Sequence, residues 1–140
     1  MKIAFVSCTK LKANYSCITR DMYKRSILFN KAVRFIEQQD YDNWYVLSAK
    51  YGLLKKDDHI EPYDLTLNNM KASDRKKWSE LVLRQIEELN MSITHIDFYA
   101  GLKYREYLIT ALEEKGIVCY VPLQGKGIGA QLSYYTTHTK

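Results

Sequence analysis

The chain has 140 residues, an apolar content of 46% and a mean hydropathy of −0.37, values typical of one soluble globular domain. No apolar run approaches the roughly 18 residues of a membrane span, and the N-terminus lacks a secretory signal. Three cysteines and three histidines at irregular spacing match no disulfide framework or zinc site. We therefore expect a cytoplasmic domain over residues 1–140 that holds no metal ion.

The net charge of +5 is concentrated near the N-terminus. The segment from residue 10 to residue 34 contains one acidic residue, Asp21, and seven basic residues. The basic residues are Lys10, Lys12, Arg20, Lys24, Arg25, Lys31 and Arg34. A basic surface from Arg20 to Arg34 indicates an anionic partner, such as a phosphate, a nucleotide or a nucleic acid. The alternative is a solvated helix face, and the sequence leaves both open.

The first predicted element is a buried strand over residues 2–8, because this run is almost entirely apolar. A polar loop follows, and Thr19 or Asp21 then begins a predicted helix that ends near residue 39. Tyr23 and Ser26, three residues apart, are expected to share one face of that helix. Residues 43–48 predict a second buried strand, which ends shortly before Gly52.

A long loop is predicted over residues 53–70, and loops of this length are commonly functional. Ser73 begins a second helix, and residues 94–100 predict a third strand. A shorter helix follows and ends at Gly116, before a fourth strand over residues 117–121. A glycine-rich turn and one short helix from Ala130 complete the chain.

Strands that alternate with helices four times predict an α/β fold. We expect a three-layer (αβα) Rossmann-like domain with a four-stranded, mainly parallel sheet and right-handed crossovers. Ligands of such sheets bind beyond the carboxyl ends of the strands. The predicted ligand-binding residues are therefore Ser7, Cys8, Thr9, Lys10, Tyr23, Ser26, Ser48, Lys50, Tyr51, Gly52, Tyr63 and Gly101.

Two phosphate-binding motifs are missing from the sequence. A dinucleotide-binding fingerprint, G-x-G-x-x-G, lies between the first strand and the helix that follows it. The glycines at 125, 127 and 129 instead follow the last strand and have even spacing. No Walker loop occurs anywhere in the chain. The sequence therefore predicts no cofactor, and the ligand expected at the strand ends is a small anionic or nucleobase-containing molecule.

Several candidate residues have two interpretations. Asp64 is either a general base or an Asx turn that shapes its loop. Lys10 and Lys50 either hold an anion or extend into solvent. Cys8 is either a stabilised thiolate or an unreactive buried thiol. Tyr51, Tyr63 and Tyr99 are candidates for stacking on a nucleobase, although tyrosine is also common at half-buried positions.

Six motifs together resemble an uncharacterised family of small bacterial and phage proteins. They are S-C-T-K-x-K, Y-x-x-S-x-x-F, W-Y-x-L-S-A-K-Y-G-L-L, P-Y-D-x-T-L, F-Y-A-G-x-x-Y-R and P-L-x-G-x-G-I-G, between Ser7 and Leu132. The family is a domain of unknown function, so the resemblance implies an α/β fold and no settled activity.

A more distant resemblance is to the core domain of archaeosine synthase, in the uracil-DNA-glycosylase-like group. Its matching residues here are Cys8, Lys12, Tyr23, Ser26, Tyr63 and Asp64, with a longer loop before Tyr23. Phe29 stands where that core has a histidine, and Ser7 where it has a proline. The resemblance implies a nucleobase-related pocket. The candidate catalytic residues are Asp64 and Lys12.

Three functions fit these observations. The first is an enzyme that cleaves an N-glycosidic bond or modifies a base of a nucleobase, nucleoside or nucleotide. The second is a non-enzymatic module that binds or sequesters a nucleotide-like ligand in the same crevice. The third is nucleic-acid binding through the basic surface, which predicts an affinity that falls steeply with salt.

Overall fold

A computed structural model describes residues 1–140. Its strands are β1 (Lys2–Ser7), β2 (Cys17–Ile18), β3 (Asn43–Ser48), β4 (Gly52–Leu54), β5 (His59–Ile60), β6 (His95–Tyr99) and β7 (Val118–Tyr120). Its α-helices are α1 (Thr19–Met22), α2 (Ile27–Glu37), α3 (Ala72–Glu88), α4 (Leu102–Glu114) and α5 (Ile128–His138), and a 3₁₀ turn spans Leu67–Asn69. No helix is both long and apolar enough to cross a membrane.

The main sheet has the strand order β4-β3-β1-β6-β7. Strands β3, β1, β6 and β7 are parallel, which confirms an α/β fold with a mainly parallel sheet. The predicted number of four strands is wrong, because β4 adds a fifth, antiparallel strand beside β3. Strand β4 has only three residues, too few to show the alternation of apolar and polar residues that indicates a strand. Most of it lies in the segment that was predicted as a loop.

Helices cover both faces of the sheet because β1 and β3 alternate their apolar side chains. Ala4 and Val6 face one core, shared with α2 and α5. Ile3 and Phe5 face the other core, shared with α3 and α4. Phe5 itself pairs with Tyr45 on one side and Phe98 on the other, at the centre of the sheet.

The order of the strands creates a crevice at the carboxyl end of β1. From β1 the chain moves to β3 on one side, and from β3 it crosses back to β6 on the other side. The segments that follow β1 and β6 therefore leave the sheet toward opposite faces. In open α/β sheets this switch in direction is where ligands bind.

The predicted helix over residues 19–39 is two helices in the structure. Helix α1 ends at Met22, and α2 begins after Ser26, whose hydroxyl accepts a hydrogen bond from the Phe29 N–H at 3.2 Å. Serine at an N-cap offers the backbone this alternative to a continued helix. Tyr23 and Ser26 therefore do not share a helix face, and that expectation is wrong.

The tight turn between β3 and β4 depends on Gly52 and Gln85. Gly52 has a φ of +76°, a backbone conformation that other residues resist. The Gln85 side chain lies against it, accepts the Leu53 N–H at 2.7 Å and donates to the Tyr51 carbonyl at 3.0 Å. A Cβ at residue 52 would collide with this amide.

Replacing Gly52 with alanine should destabilise the protein by about 1–3 kcal/mol, because it adds backbone strain and displaces Gln85. Urea denaturation measures the loss. Gly129→Ala is the matched control, since residue 129 is in α5 with open space around it and no positive φ. A Gly52→Ala variant as stable as Gly129→Ala would contradict this role of the turn.

Candidate functional site

A cleft of about 990 Å³ opens at the carboxyl ends of β1 and β6. Its walls are formed by the end of β1 and the residues that follow it up to Lys12, by most of the segment from Asp64 to Asn69, and by the end of β6 with most of the residues that follow it up to Arg105. The beginnings of α2, α4 and α5 complete it. The cleft therefore lies where the strand order reverses, and three helix N-termini, which carry partial positive charge, face it.

The charged side chains of the cleft are mostly positive. Lys10, Lys12, Arg105 and Lys126 line it, and Asp64 is the one carboxylate among the lining residues. The Arg105 guanidinium donates to the carbonyl of Ala100, the first residue after β6, at 3.0 Å. Cations and helix N-termini together favour an anionic ligand.

Aromatic rings form a second part of the lining. They are Phe29, Phe98, Tyr99, Tyr104 and Tyr135. The Tyr99 hydroxyl lies 2.6 Å from that of Tyr41, which also contacts the buried Asp97 carboxylate, so its ring is held in place. Burial raises the pKa of Tyr99 to about 12. Fixed rings beside cations suit a ligand with a planar group and a negative charge.

Lys12 is the one lysine of the cleft that is partly buried, since Lys10 and Lys126 are exposed. Its ammonium lies 4.4 Å from the centre of the Tyr63 ring and donates to the Lys10 carbonyl at 3.4 Å. Burial lowers the pKa of Lys12, while the nearby Cys8 and Asp64 act in the opposite direction. The three groups therefore form one electrostatic cluster, in which Lys12 releases its proton more readily than an exposed lysine.

A network of hydroxyl groups lies beneath the cleft, next to two lining residues, Cys8 and Tyr104. The Cys8 thiol donates to the Tyr104 hydroxyl at 3.6 Å. The Tyr63 hydroxyl is 2.8 Å from that of Tyr23, and it accepts a hydrogen bond from Ser48 at 2.8 Å. Burial raises the pKa of Tyr104 to about 12 and that of Tyr23 and Tyr63 still higher, so all three are protonated at neutral pH.

The structure sorts the predicted site residues into three groups. Those that line the cleft are Ser7, Cys8, Thr9, Lys10, Lys12, Ser26, Asp64 and Gly101. Those beneath it, in the hydroxyl network, are Tyr23, Ser48 and Tyr63. Lys50, Tyr51 and Gly52 do not line it.

Lys50, Tyr51 and Gly52 lie away from the cleft because the chain turns back into β4 directly after β3. Lys50 is exposed, with its ammonium 5.2 Å from the Tyr51 ring centre. Tyr51 packs edge-on against Tyr63, at 5.8 Å between ring centres. Tyr51 therefore supports the network from outside the cleft.

Several lining residues were missed by sequence reasoning. Tyr104, Arg105, Thr66 and Lys126 all line the cleft. Tyr104 and Arg105 belong to the F-Y-A-G-x-x-Y-R motif, which was the available signal. Asp64 lies at the exposed mouth, and no three His, Cys, Asp or Glu side chains anywhere come close enough to hold a metal ion.

The basic window near the N-terminus is partly neutralised. Arg20 pairs with Glu37, and Lys24 pairs with Asp21 at 2.6 Å. Lys31 donates to the Thr136 hydroxyl of α5 at 2.8 Å. Much of this window therefore interacts within the protein itself.

The cluster around Lys12 predicts a titration effect. Asp64 stabilises the protonated ammonium, so Asp64→Asn should lower the pKa of Lys12 further below that of ordinary lysines. Carbon-13 NMR of dimethylated lysines follows each ammonium across pH. Asp57→Asn, at another exposed position, is the control. An unchanged or raised Lys12 pKa in Asp64→Asn would show that the two groups do not interact.

Comparison with known proteins identifies relatives but no activity. The chain is similar to the uncharacterized protein YfjM of Bacillus subtilis (strain 168), at 32% identity over 111 residues that cover 74% of this chain and 69% of that protein. No solved structure matches significantly. The likeness to archaeosine synthase rests on the motif residues alone.

The family resemblance read from the six motifs is confirmed. Residues 3–137 match a family of unknown function, DUF6884, so the match covers the five-stranded sheet, except for Lys2, and every segment that lines the cleft. The chain belongs to DUF6884.

Proposed function

We propose that this protein is an enzyme that acts on a nucleobase, nucleoside or nucleotide in the cleft at the end of β1. One observation carries the proposal: the partly buried ammonium of Lys12 and the carboxylate of Asp64 line one cleft and interact electrostatically, and the other charged side chains of that cleft are all basic. A displaced lysine pKa beside a carboxylate, in a large concave site, is typical of catalytic groups.

The lining supports binding of a nucleotide-like molecule. Lys10, Arg105 and Lys126 supply charge for a phosphate. The rings of Tyr99 and Tyr135 supply flat apolar surfaces for a base. The strand order also matches that of Rossmann-like folds, whose ligands bind at the switch point, so we propose this fold type for the chain.

The reaction classes that we propose are N-glycosidic bond cleavage and base modification. In hydrolysis, a water adds its oxygen to the sugar carbon and gives its proton to Asp64. The bond to the base breaks, the base leaves with the electron pair, and Lys12 protonates it. The lowered pKa of Lys12 favours this transfer, and solvent returns the proton from Asp64 to Lys12.

The residues that resemble archaeosine synthase support the same assignment. Cys8, Lys12, Ser26 and Asp64 line the cleft, and the Tyr23 and Tyr63 hydroxyls lie directly beneath it. Residues that are 56 positions apart in the chain, from Cys8 to Asp64, thus meet at one site. A nucleobase-related pocket accounts for this convergence.

A binding module that leaves its ligand unchanged is the second candidate. The observation in its favour is that Asp64 is exposed and has no second carboxylate or histidine beside it among the lining residues. Nucleic-acid binding through the surface from Arg20 to Arg34 ranks third, because Arg20 and Lys24 are already paired with acidic side chains.

Binding is tested by thermal stabilisation with nucleoside monophosphates and their parent nucleosides. A ligand at about 100 times its Kd should stabilise the folded protein by about 2.7 kcal/mol. Lys10→Gln and Arg105→Gln should each weaken the binding of the monophosphates at least as much as the binding of the nucleosides. Lys77→Gln, at an exposed position of α3, is the matched control. Stabilisation by none of these ligands would contradict the assignment.

Catalysis is tested by mass spectrometry of the same ligands after incubation. Asp64→Asn should reduce turnover at least 100-fold and keep the thermal stabilisation, because it removes the base without removing a cation. Asp57→Asn should turn over at the wild-type rate. Ligands that stabilise the protein and are recovered unchanged would identify the binding module instead.

A further inference from the structure

We propose that the ligand of the cleft carries an aliphatic group beside its anionic part, and that exposed side chains at the mouth of the cleft bind this group. The identity of the anionic part as a nucleotide rests on the proposed function. The apolar subsite itself stands on the position and the exposure of four side chains.

Four large aliphatic side chains both line the cleft and are exposed to solvent. Leu11 is 49% exposed, Leu65 43%, Leu102 59% and Ile128 65%. Because an exposed lining residue lies at the opening, we call these four residues the apolar rim. Leu11 follows β1, Leu65 precedes the 3₁₀ turn, and Leu102 and Ile128 begin α4 and α5. Four separate segments of the chain therefore each place one aliphatic side chain at the opening.

Exposed apolar side chains are less concentrated on the rest of the protein. Only five other large apolar side chains are exposed, and none of them lines the cleft. Single exposed apolar residues are ordinary on protein surfaces, whereas a group of them around one concave site marks a place where something binds. The apolar rim is therefore a feature of the cleft rather than of the surface as a whole.

The stability of α4 and α5 does not account for Leu102 and Ile128. Acidic side chains stabilise the first turn of a helix, and neither helix has one there. The N-cap residues are Gly101 and Gly127, which have no side chain to accept a backbone N–H. Each helix instead begins with an exposed aliphatic side chain at the cleft. These two positions therefore suit a ligand better than they suit the helices.

The cations of the cleft have no acidic partner within ion-pair distance. The five ion pairs of the protein join other residues, and Lys10, Lys12, Arg105 and Lys126 belong to none of them. An anion is needed to complement these cations, and apolar surface is needed to remove the apolar rim from water. The ligand that complements the whole cleft therefore has both an anionic part and an apolar part.

A nucleic-acid strand would complement the cations better than the apolar rim. Its backbone carries a phosphate at every nucleotide, and its bases stack best on aromatic rings, none of which belongs to the rim. An aliphatic chain covers the four side chains without placing a charge against them. The ligand class that we infer is therefore an amphiphile, such as an alkyl or acyl ester of a nucleotide.

Calorimetric titration with matched esters tests the apolar subsite. The probes are the methyl and butyl esters of the common ribonucleoside 5′-monophosphates, together with methyl and butyl phosphate, which lack the nucleoside. In at least one pair the butyl member should bind about tenfold more tightly, because each buried CH₂ strengthens binding by up to about fourfold. A smaller gain in every pair, or no binding of any probe, would overturn the proposal.

Variants of the apolar rim test where the alkyl group binds. Leu102→Ser and Ile128→Ser should each reduce the advantage of the butyl over the methyl ester by at least about threefold, because each removes apolar surface. Ile27→Ser is the matched control, since Ile27 is 66% exposed, begins α2 and does not line the cleft. Thermal melting verifies that each variant folds. An advantage that neither rim variant reduces would overturn the apolar rim as the site.

The proposed function can fail independently of this inference. Binding of butyl phosphate in preference to methyl phosphate, without binding of any nucleoside ester, would keep the apolar subsite and refute the nucleotide. Nucleotide binding without a butyl advantage would refute the subsite and keep the nucleotide. A single-stranded oligonucleotide that binds more tightly than every butyl ester, and more weakly to Leu102→Ser, would show that the rim contacts neighbouring nucleotides and would overturn the aliphatic ligand.

Discussion

The position of β1 between β3 and β6 is the constraint on which the site depends. Because the chain adds β3 on one side and β6 on the other, the segments after β1 and β6 separate and leave a cleft between them. The apolar side chains of β1 hold this strand in both cores at once. The cleft is thus a consequence of strand order, and the residues after β1 form one of its walls.

The hydroxyl network connects this framework with the chemistry. Trp78 of α3 donates to the Ser48 carbonyl at 2.9 Å, while the Ser48 side chain joins Tyr51 to Tyr63. The same Tyr63 ring carries the Lys12 ammonium on its face. Packing of α3 against the sheet therefore fixes the position of the hydroxyl groups beneath the cleft, next to Lys12.

The sequence predicted the parts of the structure that have a long or strong pattern. The four parallel strands were found because each is a run of mainly apolar residues in the sequence, although β7 at the sheet edge is largely exposed. The residues after β1 were found because they follow the first of these runs. Strand β4 was missed because three residues have no period, and the break at Ser26 because an apolar helical pattern continues across it. Tyr104 and Arg105 were missed because only the fold shows that the beginning of α4 lies at the cleft. Lys50 was expected at the cleft because the sequence does not show that the chain turns into β4 directly after β3. Local patterns indicate elements; they do not indicate which elements meet.

An amide NMR titration with a nucleoside monophosphate tests most directly whether the cleft is the ligand site. We expect saturable shifts at Thr9, Gly101 and Lys126, which belong to three different segments of the lining, and small changes on α3. Shifts confined to the basic residues Arg20, Lys24 and Arg34, with none at Thr9, Gly101 or Lys126, or shifts that never saturate, would contradict the account.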